Sequence, residues 1–454
     1  MKTKTPNDIM RLSISLFIVA IAALWIRIDY FHNTLIDQPI RGDAASYVQY
    51  AFNMVNFGTY SKERGTSDPT PDAYWSPGYP ALIAAAMLAE KQLGLDTYKT
   101  IIYTQAALGM LISILTLLTG RLFLGHYFSL AAALLVAFSP HMISLSNYVL
   151  TETLFSFLFL SSIYCFLQAY LNYKILLYIL SGLLFGLSYL TNPVSFFTPL
   201  IFCGLALWQY SRENVQVSKA IQLITPCILS FMVIVASWNI RNNIVLPENS
   251  PSSSTRLLTN LTIGMHDNFH SIWRNNPRDR NNPATIDSRE INGSYSKFID
   301  ILTDRLQQDP MHYAKWYLIQ KPVMLWDWNI LVGQGDIYVY PVKYSLFHTS
   351  KPAILIYSIM KALHYWLFGL AILGMIVCAV KFSKRNDNAS IPTFLFLSLL
   401  YISAVYVITQ AEARYSIPLR PEMYLCAFYL ISTVAEVLRK SGGPKHNLPQ
   451  PKAS

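Results

Sequence analysis

The chain has 454 residues, of which 53% are hydrophobic and only 13% charged, a balance with which a water-soluble domain could not cover its surface. A bilayer protein is indicated before any motif is read. The formal charge of +10 comes from basic residues scattered at the ends of apolar stretches and in one long loop, with no run interleaved with aromatics. They read as topology determinants and anion contacts rather than as a nucleic-acid surface. Cys165, Cys203, Cys227, Cys378 and Cys426 all fall inside apolar stretches, so neither a disulfide framework nor a metal spacing follows.

Lys2, Lys4 and Arg11 precede an apolar stretch from about 12 to 29 with no small-residue cleavage pattern after it, which predicts a retained first span. The next segment opens on Arg41-Gly42-Asp43-Ala44-Ala45-Ser46-Tyr47, and Tyr47, Ala51, Met54 and Val55 then recur at helical spacing. Asp43 stands where that helix begins, on the face of Tyr47. As an N-cap it would satisfy free amides and the helix dipole; as a carboxylate held at a membrane edge it would serve as a general base toward an acceptor hydroxyl, and the two roles are compatible.

Tyr74-Trp75-Ser76-Pro77-Gly78-Tyr79-Pro80 combines aromatic interface anchors with residues that stop regular structure. The apolar run that follows ends at Glu90 and Lys91, short for a span. If it crossed, Arg121, Lys174, Arg212, Lys219, Lys381, Lys384 and Arg385 would all lie in outer loops. If residues 78–93 lie along the interface, all of them face the cytoplasm, and so do Arg439, Lys440, Lys445 and Lys452.

Further spans are expected near 100–120, 126–140, 152–171, 174–190, 193–210, 220–238, 356–380, 391–409 and 418–437, ten with the first, so that both termini are cytoplasmic. The outer face then receives residues 30–97, the turn from His141 to Glu152, the Thr191-Asn192-Pro193 break, the stretch 239–352 and the turn 410–417. The inner loops are a few residues each and hold no Gly-rich phosphate loop, which argues against cytoplasmic nucleotide chemistry. The expected organisation is a transmembrane module 1–238, an outer region 239–352, C-terminal spans 353–438 and a tail 439–454.

Glu152, in Leu150-Thr151-Glu152-Thr153 at the outer end of a span, is either an N-cap or a functional carboxylate. Arg241, in Trp238-Asn239-Ile240-Arg241-Asn242, stands at a bilayer edge and can hold headgroups. His266 follows Ile263-Gly264-Met265. Glu412-Ala413-Arg414-Tyr415-Ser416-Ile417-Pro418 puts an acid and a guanidinium at the mouth of two spans, as a structural ion pair or as a phosphate contact.

Taken in order, Gly42-Asp43 with Tyr47 and Ala51, Ser76-Pro77-Gly78-Tyr79-Pro80, Leu150-Thr151-Glu152-Thr153-Leu154-Phe155, Leu190-Thr191-Asn192-Pro193, the Trp238 and Ile263 segments and the Glu412 segment resemble the GT-C glycosyltransferases. The resemblance is to the family 39, protein-mannosyltransferase-like branch that includes the lipid A aminoarabinose transferases. It implies an all-α GT-C-type helical bundle with outer-face juxtamembrane helices, and transfer of a sugar with inversion from a polyprenyl-phosphate carrier to an acceptor that is a lipid, a glycan or a protein. By the same resemblance Asp43 is the base or acceptor-orienting carboxylate and Glu152 a second carboxylate near the acceptor. Arg414 and Arg241 lie near the leaving phosphate, Tyr47, Glu412 and Tyr415 belong to the substrate site, and His266 contacts sugar.

The chain departs from the family at Ala44, where an acidic residue is common, and at Asn192, where an Arg often precedes the proline. A divalent cation at Asp43 is therefore in question, no other cofactor is expected, and one cation near the lipid phosphate is either missing or supplied by another residue. Asp309 to Trp328 has the basic and aromatic mix of a helix lying on the membrane. Short loops without disulfides suit a bacterial cytoplasmic membrane. Two other classes share the many-helix pattern: a lipid or solute transporter, which would place ionisable groups or inverted repeats near the midplane, and a ligase or polymerase moving a whole glycan from a diphosphate carrier.

Overall fold

The computed structural model describes residues 6–248, 250–276, 279–384 and 389–441. Lys2, Lys4, Arg385, Lys445 and Lys452, which entered the topology argument, lie outside the described residues. The chain is a multi-pass bundle of helices. Among the described residues, eight are long and apolar enough to cross a membrane: Pro6–His32, Thr97–Gly120, Glu152–Asn172, Pro193–Arg212, Val217–Val245, Lys351–Ser383, Ser390–Ile408 and Ala413–Arg439. The other two expected spans are shorter apolar helices, His126–Ala137 and Ile175–Thr191.

Proline shortens both. A residue that precedes proline is pushed out of helical geometry, and Asn192, before Pro193, is extended at φ −144° and ψ 115°. Likewise Ser139 is extended before Pro140, which starts the six-residue helix Pro140–Leu145. The end of His126–Ala137 is closed by a charge from another span: Arg27, 1% exposed, donates to the carbonyls of Ala137 (3.1 Å) and Val136 (3.5 Å). A guanidinium within a span is tolerable only where such partners replace water, and the negative end of a helix dipole supplies them here.

The helix Gly78–Leu93 has 16 residues and keeps both its ends at one end of the bundle. Gly78 packs on the Leu190 carbonyl, where Ile175–Thr191 finishes, and Lys91 donates to Asn56 Oδ1 (2.8 Å) at the close of the helix Asp43–Phe57. It lies across that end rather than through the bundle.

The same end gathers segments far apart in sequence. Leu35–Ile36 pairs antiparallel with Val342–Tyr344, Leu35 opposite Tyr344 and Ile36 opposite Val342. The Tyr148 hydroxyl donates to the Tyr340 carbonyl (3.2 Å), the Ala73 amide to Pro251 (2.9 Å), and His141 Nε2 lies 2.7 Å from the Trp328 carbonyl. Within 239–352 the helices Ser253–Gly264, Pro283–Ile291 and Tyr295–Gln308 bury a small core of Leu258, Met265, Ile291 and Phe298. The expected surface helix from 310 is present in three consecutive pieces, Pro310–Lys315, the π-helical turn Trp316–Gln320 and Lys321–Leu325, with Met311, Leu318, Ile319 and Val323 exposed.

Candidate functional site

Gly42 has φ +53°, a left-handed conformation that glycine adopts without strain, and this turn sets up the helix Asp43–Phe57. Tyr340 locks it: its hydroxyl donates to the Arg41 carbonyl (2.8 Å) and accepts from the Ala44 amide (3.5 Å). Asp43 is thus the first helical residue. Its side chain does not cap the helix, because Gly42 is the N-cap and no side chain bonds there. Instead Asp43 Oδ2 accepts from Arg414 at 2.7 Å.

Arg414 stands in the short helix Ala413–Ser416 that follows Glu412. Glu412 is the N-cap: Oε2 accepts from the Arg414 amide (3.1 Å) and Oε1 from the Leu331 amide (3.0 Å). The Arg414 Nε lies 3.5 Å from Glu412 and 3.9 Å from Glu152, close in charge but without a hydrogen bond. Glu152 opens its helix and is buried, with Thr151 Oγ1 3.5 Å from Oε2; as with Asp43, its side chain is not the cap. One guanidinium therefore faces three carboxylates from three segments. Burial raises the Glu412 carboxyl above the usual range, against the pull of Arg414.

Aromatic rings wall this cluster. Tyr47 is buried against Trp75 (5.0 Å between centroids) and Tyr79 (5.5 Å), and its phenol is raised first by burial and then by Asp43. Tyr415 stacks on Tyr406 at 5.0 Å, and Asn192 donates to the Tyr406 hydroxyl (2.9 Å). Tyr47, Glu152, Glu412, Arg414 and Tyr415 are thus brought to Asp43.

Two expected residues are not. Arg241 donates to the carbonyls of Asp72 (3.3 Å) and Tyr60 (3.5 Å) and lies over the rings of Tyr60 and Trp238, bracing the loop from 58 to 75. Asp72 in turn accepts from Tyr50, from the Lys62 amide (2.9 Å) and from the Tyr74 amide (3.0 Å). His266 bonds Asp287 Oδ2 (2.9 Å), which also binds Arg305 (2.6 Å), so it ties together the small core of 253–308. Burial and Arg305 hold the His266 imidazole below its ordinary range.

Sequence reasoning missed Arg256, one turn into Ser253–Gly264. Its guanidinium lies 3.9 Å from the centroid of Trp75, and its charge is felt at Tyr47, both in the aromatic wall of the cluster. No carboxylate pairs with it among the described residues. It also missed what holds the 409–412 turn. Lys321, fully buried, donates to the Thr409 (2.7 Å) and Gly264 (3.0 Å) carbonyls, and His270 Nε2 lies 3.1 Å from the Ala411 carbonyl. The cation place among the three carboxylates is filled by Arg414, and no group of three or more His, Cys, Asp or Glu residues among those described is placed to hold a metal. The cluster as built does not fit a divalent ion.

The long connections 33–77 and 246–350 meet at one end of the bundle, an arrangement shared in outline with a solved archaeal oligosaccharyltransferase. Residues 78–249 match the family model of dolichyl-phosphate-mannose-protein mannosyltransferases, under half of the chain. The oligosaccharyltransferase of Archaeoglobus fulgidus in its apo form aligns with a TM-score of 0.50 at 13% identity, over 96% of this chain and 52% of its own. The same organism's oligosaccharyltransferase AglB, in complex with an inhibitory peptide and a dolichol-phosphate, aligns at 0.48 and 12% identity, over 96% and 52%. ArnT from Cupriavidus metallidurans bound to undecaprenyl phosphate aligns at 0.35 and 13%, over 94% and 78%. The chain spans about half the length of the oligosaccharyltransferase. No curated protein matches it by sequence.

Proposed function

We propose that the protein is a glycosyltransferase that moves a sugar from a polyprenyl-phosphate carrier to an acceptor at the outer face of a bacterial cytoplasmic membrane, with inversion and with both termini cytoplasmic. The observation that carries this reading is the separation of charges at the gathered end. A carboxylate, Asp43, is held at 2.7 Å by a guanidinium that two further carboxylates surround, while another guanidinium, Arg256, stands across the aromatic wall with no carboxylate on it. Inverting transfer needs a carboxylate for the attacking hydroxyl on one side of the anomeric carbon and a cation for the departing phosphate on the other.

On this reading Asp43 takes the acceptor proton. Arg414 orients Asp43 and, with Glu152 and Glu412, belongs to the acceptor side. Arg256 binds the phosphate and supplies the cation that Asn192 does not. Arg414 is a poor phosphate ligand because three acids already share it, and Arg241 is committed to backbone carbonyls. His266 is a structural residue of 253–308, away from the sugar.

The test is reconstitution of the full chain in liposomes with a radiolabelled polyprenyl-phosphate sugar and membrane lipid extract. Transfer of label with inverted configuration at the anomeric carbon is expected; label that stays on the carrier in every extract refutes the proposal. Arg27 and Glu422, buried inside spans, are the residues that the transporter reading would claim. Movement of donor across the same liposomes with no change of linkage would favour that reading. Mass spectrometry of the product separates a single sugar from a whole glycan.

A further inference from the structure

A groove of about 510 Å3 runs beside the surface segment 316–331 and carries two different kinds of wall. Ile319, Val323 and Met324 form the apolar one. Ile319 is 59% and Val323 63% exposed, and Leu318 beside them 76%. Three adjacent apolar side chains so exposed mark a face that meets lipid or a partner rather than water. The segment is fastened to the spans themselves, since Trp326 donates to Ser403 Oγ in Ser390–Ile408 (3.2 Å) and stacks on Phe368 in Lys351–Ser383 (5.2 Å). The apolar wall therefore belongs to a segment packed on the spans themselves, where lipid is.

The other wall is acidic. Asp267 is about half exposed, with His312 3.7 Å from it, and Asp327 accepts from the Tyr365 hydroxyl (2.6 Å) and the Trp328 amide (2.6 Å). Carboxylates have lone pairs to spare for hydroxyl donors and repel phosphate. Leu331 also lines the groove, and its amide donates to Glu412 Oε1 (3.0 Å), the carboxylate that faces Arg414. The groove thus has lipid-type side chains on one wall and lies one residue away from the Asp43 cluster, on a surface whose charge is opposite to that of Arg256.

We infer that this groove admits the acceptor, and that the acceptor is a membrane-resident amphiphile with an uncharged, polyhydroxylated head, its hydroxyls on Asp267 and Asp327 and its chains along Ile319 and Val323. The inference rests on the transferase reading and narrows its acceptor from lipid, glycan or protein to lipid. The step balances without a further reactant. An acceptor hydroxyl oxygen forms the new bond to the anomeric carbon, the carbon–oxygen bond to the phosphate breaks, polyprenyl phosphate leaves with that electron pair, and the hydroxyl proton passes to Asp43. An anionic phospholipid head is disfavoured by the acidic wall, and a polypeptide does not need an apolar wall at lipid level.

The experiment needs no sugar donor. The full chain is placed in nanodiscs of dioleoylphosphatidylcholine containing a few mole per cent of monoglucosyldiacylglycerol with a diazirine in its acyl chain, irradiated, and its crosslinked peptides are mapped. Crosslinks concentrated in 316–331, competed by unlabelled glucolipid about tenfold better than by dioleoylglycerol or phosphatidylglycerol, are expected, and Asp267→Asn should abolish that preference. Equal competition by dioleoylglycerol, or labelling spread evenly over all lipid-facing helices, overturns the inference. Val323→Trp, which fills the groove, should lower crosslinking by a similar factor; wild-type yield in that variant also overturns it. With labelled polyprenyl-phosphate sugar supplied, transferred label is expected in solvent-extractable lipid, and label in protease-sensitive polypeptide overturns the inference while leaving the transferase reading intact.

Discussion

Asp43→Asn separates chemistry from architecture. The asparagine keeps an oxygen that can accept from Arg414, so the 2.7 Å contact between residues 43 and 414 survives while the charge and the basicity go. The lost ion pair is partly solvated, with the Asp43 side chain 30% exposed, and such pairs are worth about 0.2–1 kcal/mol. Relief of repulsion toward Glu152 and Glu412 offsets part of that, so the expected change in stability is under about 1 kcal/mol. A general base contributes roughly 10²–10⁴ in rate, which is about 3–5 kcal/mol at the transition state. Sugar transfer should therefore fall at least about a hundredfold while folded protein accumulates normally. The assay is label transfer from a polyprenyl-phosphate sugar in washed membranes, normalised to monodisperse protein after solubilisation. Transfer within a few-fold of wild type removes Asp43 as the base, and equal losses of activity and folded protein make it a structural residue. Arg414→Gln is the opposite control. It leaves Glu412 and Glu152 buried without their cation, a change that costs about 3–5 kcal/mol, so folded protein itself should be depleted.

Other consequences are equally open to measurement. Arg256→Gln should lower kcat/KM for the lipid donor roughly 10–100-fold, because the charge-assisted contact to the departing phosphate is lost; transfer within a few-fold of wild type would contradict this role. Gly264→Ala drives a methyl into the Thr409 carbonyl, and overpacking of this kind lowers stability by about 1–3 kcal/mol, readable as a lower thermal midpoint in detergent. For His266 the sign follows from a folded-state value below 6.5, which means that folding favours the neutral ring. Its contribution is complete above pH 6.5 and is lost as pH falls through the folded value, so 253–308 should become protease-sensitive on acidification, and His266→Gln should flatten that dependence. Sensitivity that grows toward alkaline pH would reverse the argument.

The membrane class and most spans were legible because a run of about twenty apolar residues has few other uses. Length failed where proline intervened: Pro140 and Pro193 end helices whose apolar composition continues past them, which is why His126–Ala137 and Ile175–Thr191 are shorter than their sequences suggest. Asp43, Glu152, Glu412 and Arg414 stood out for a related reason, since an ionised group beside a span is costly unless it is partnered or used. What no spacing rule reaches is the partnering itself. Asp43 and Arg414 are 371 residues apart, and a motif that puts Glu412 next to Arg414 reads as a local pair when the guanidinium in fact serves three segments.

The same limitation explains the two arginines. Arg241 sits in an aromatic, Asn-rich segment at a span end and looks available for a headgroup, yet the loop carrying Tyr60 and Asp72 folds its carbonyls onto it. Arg256 follows Ser252-Ser253-Ser254-Thr255, which reads as a polar helix start and in the structure is one, with the Ser252 and Thr255 side chains bonding reciprocally. A capped helix start places the next residue within its first turn, where it projects sideways from a fixed backbone, and Arg256 is thereby delivered onto Trp75. The capping signal was in the sequence; its use as a platform for a cation depends on Trp75 arriving from the first loop, held there by the Ala73 amide on the Pro251 carbonyl. Cationic and acidic sides of this site are thus separated by the way the first loop and residues 251–256 lock together, so weakening that lock should disturb donor binding before it disturbs the Asp43 cluster.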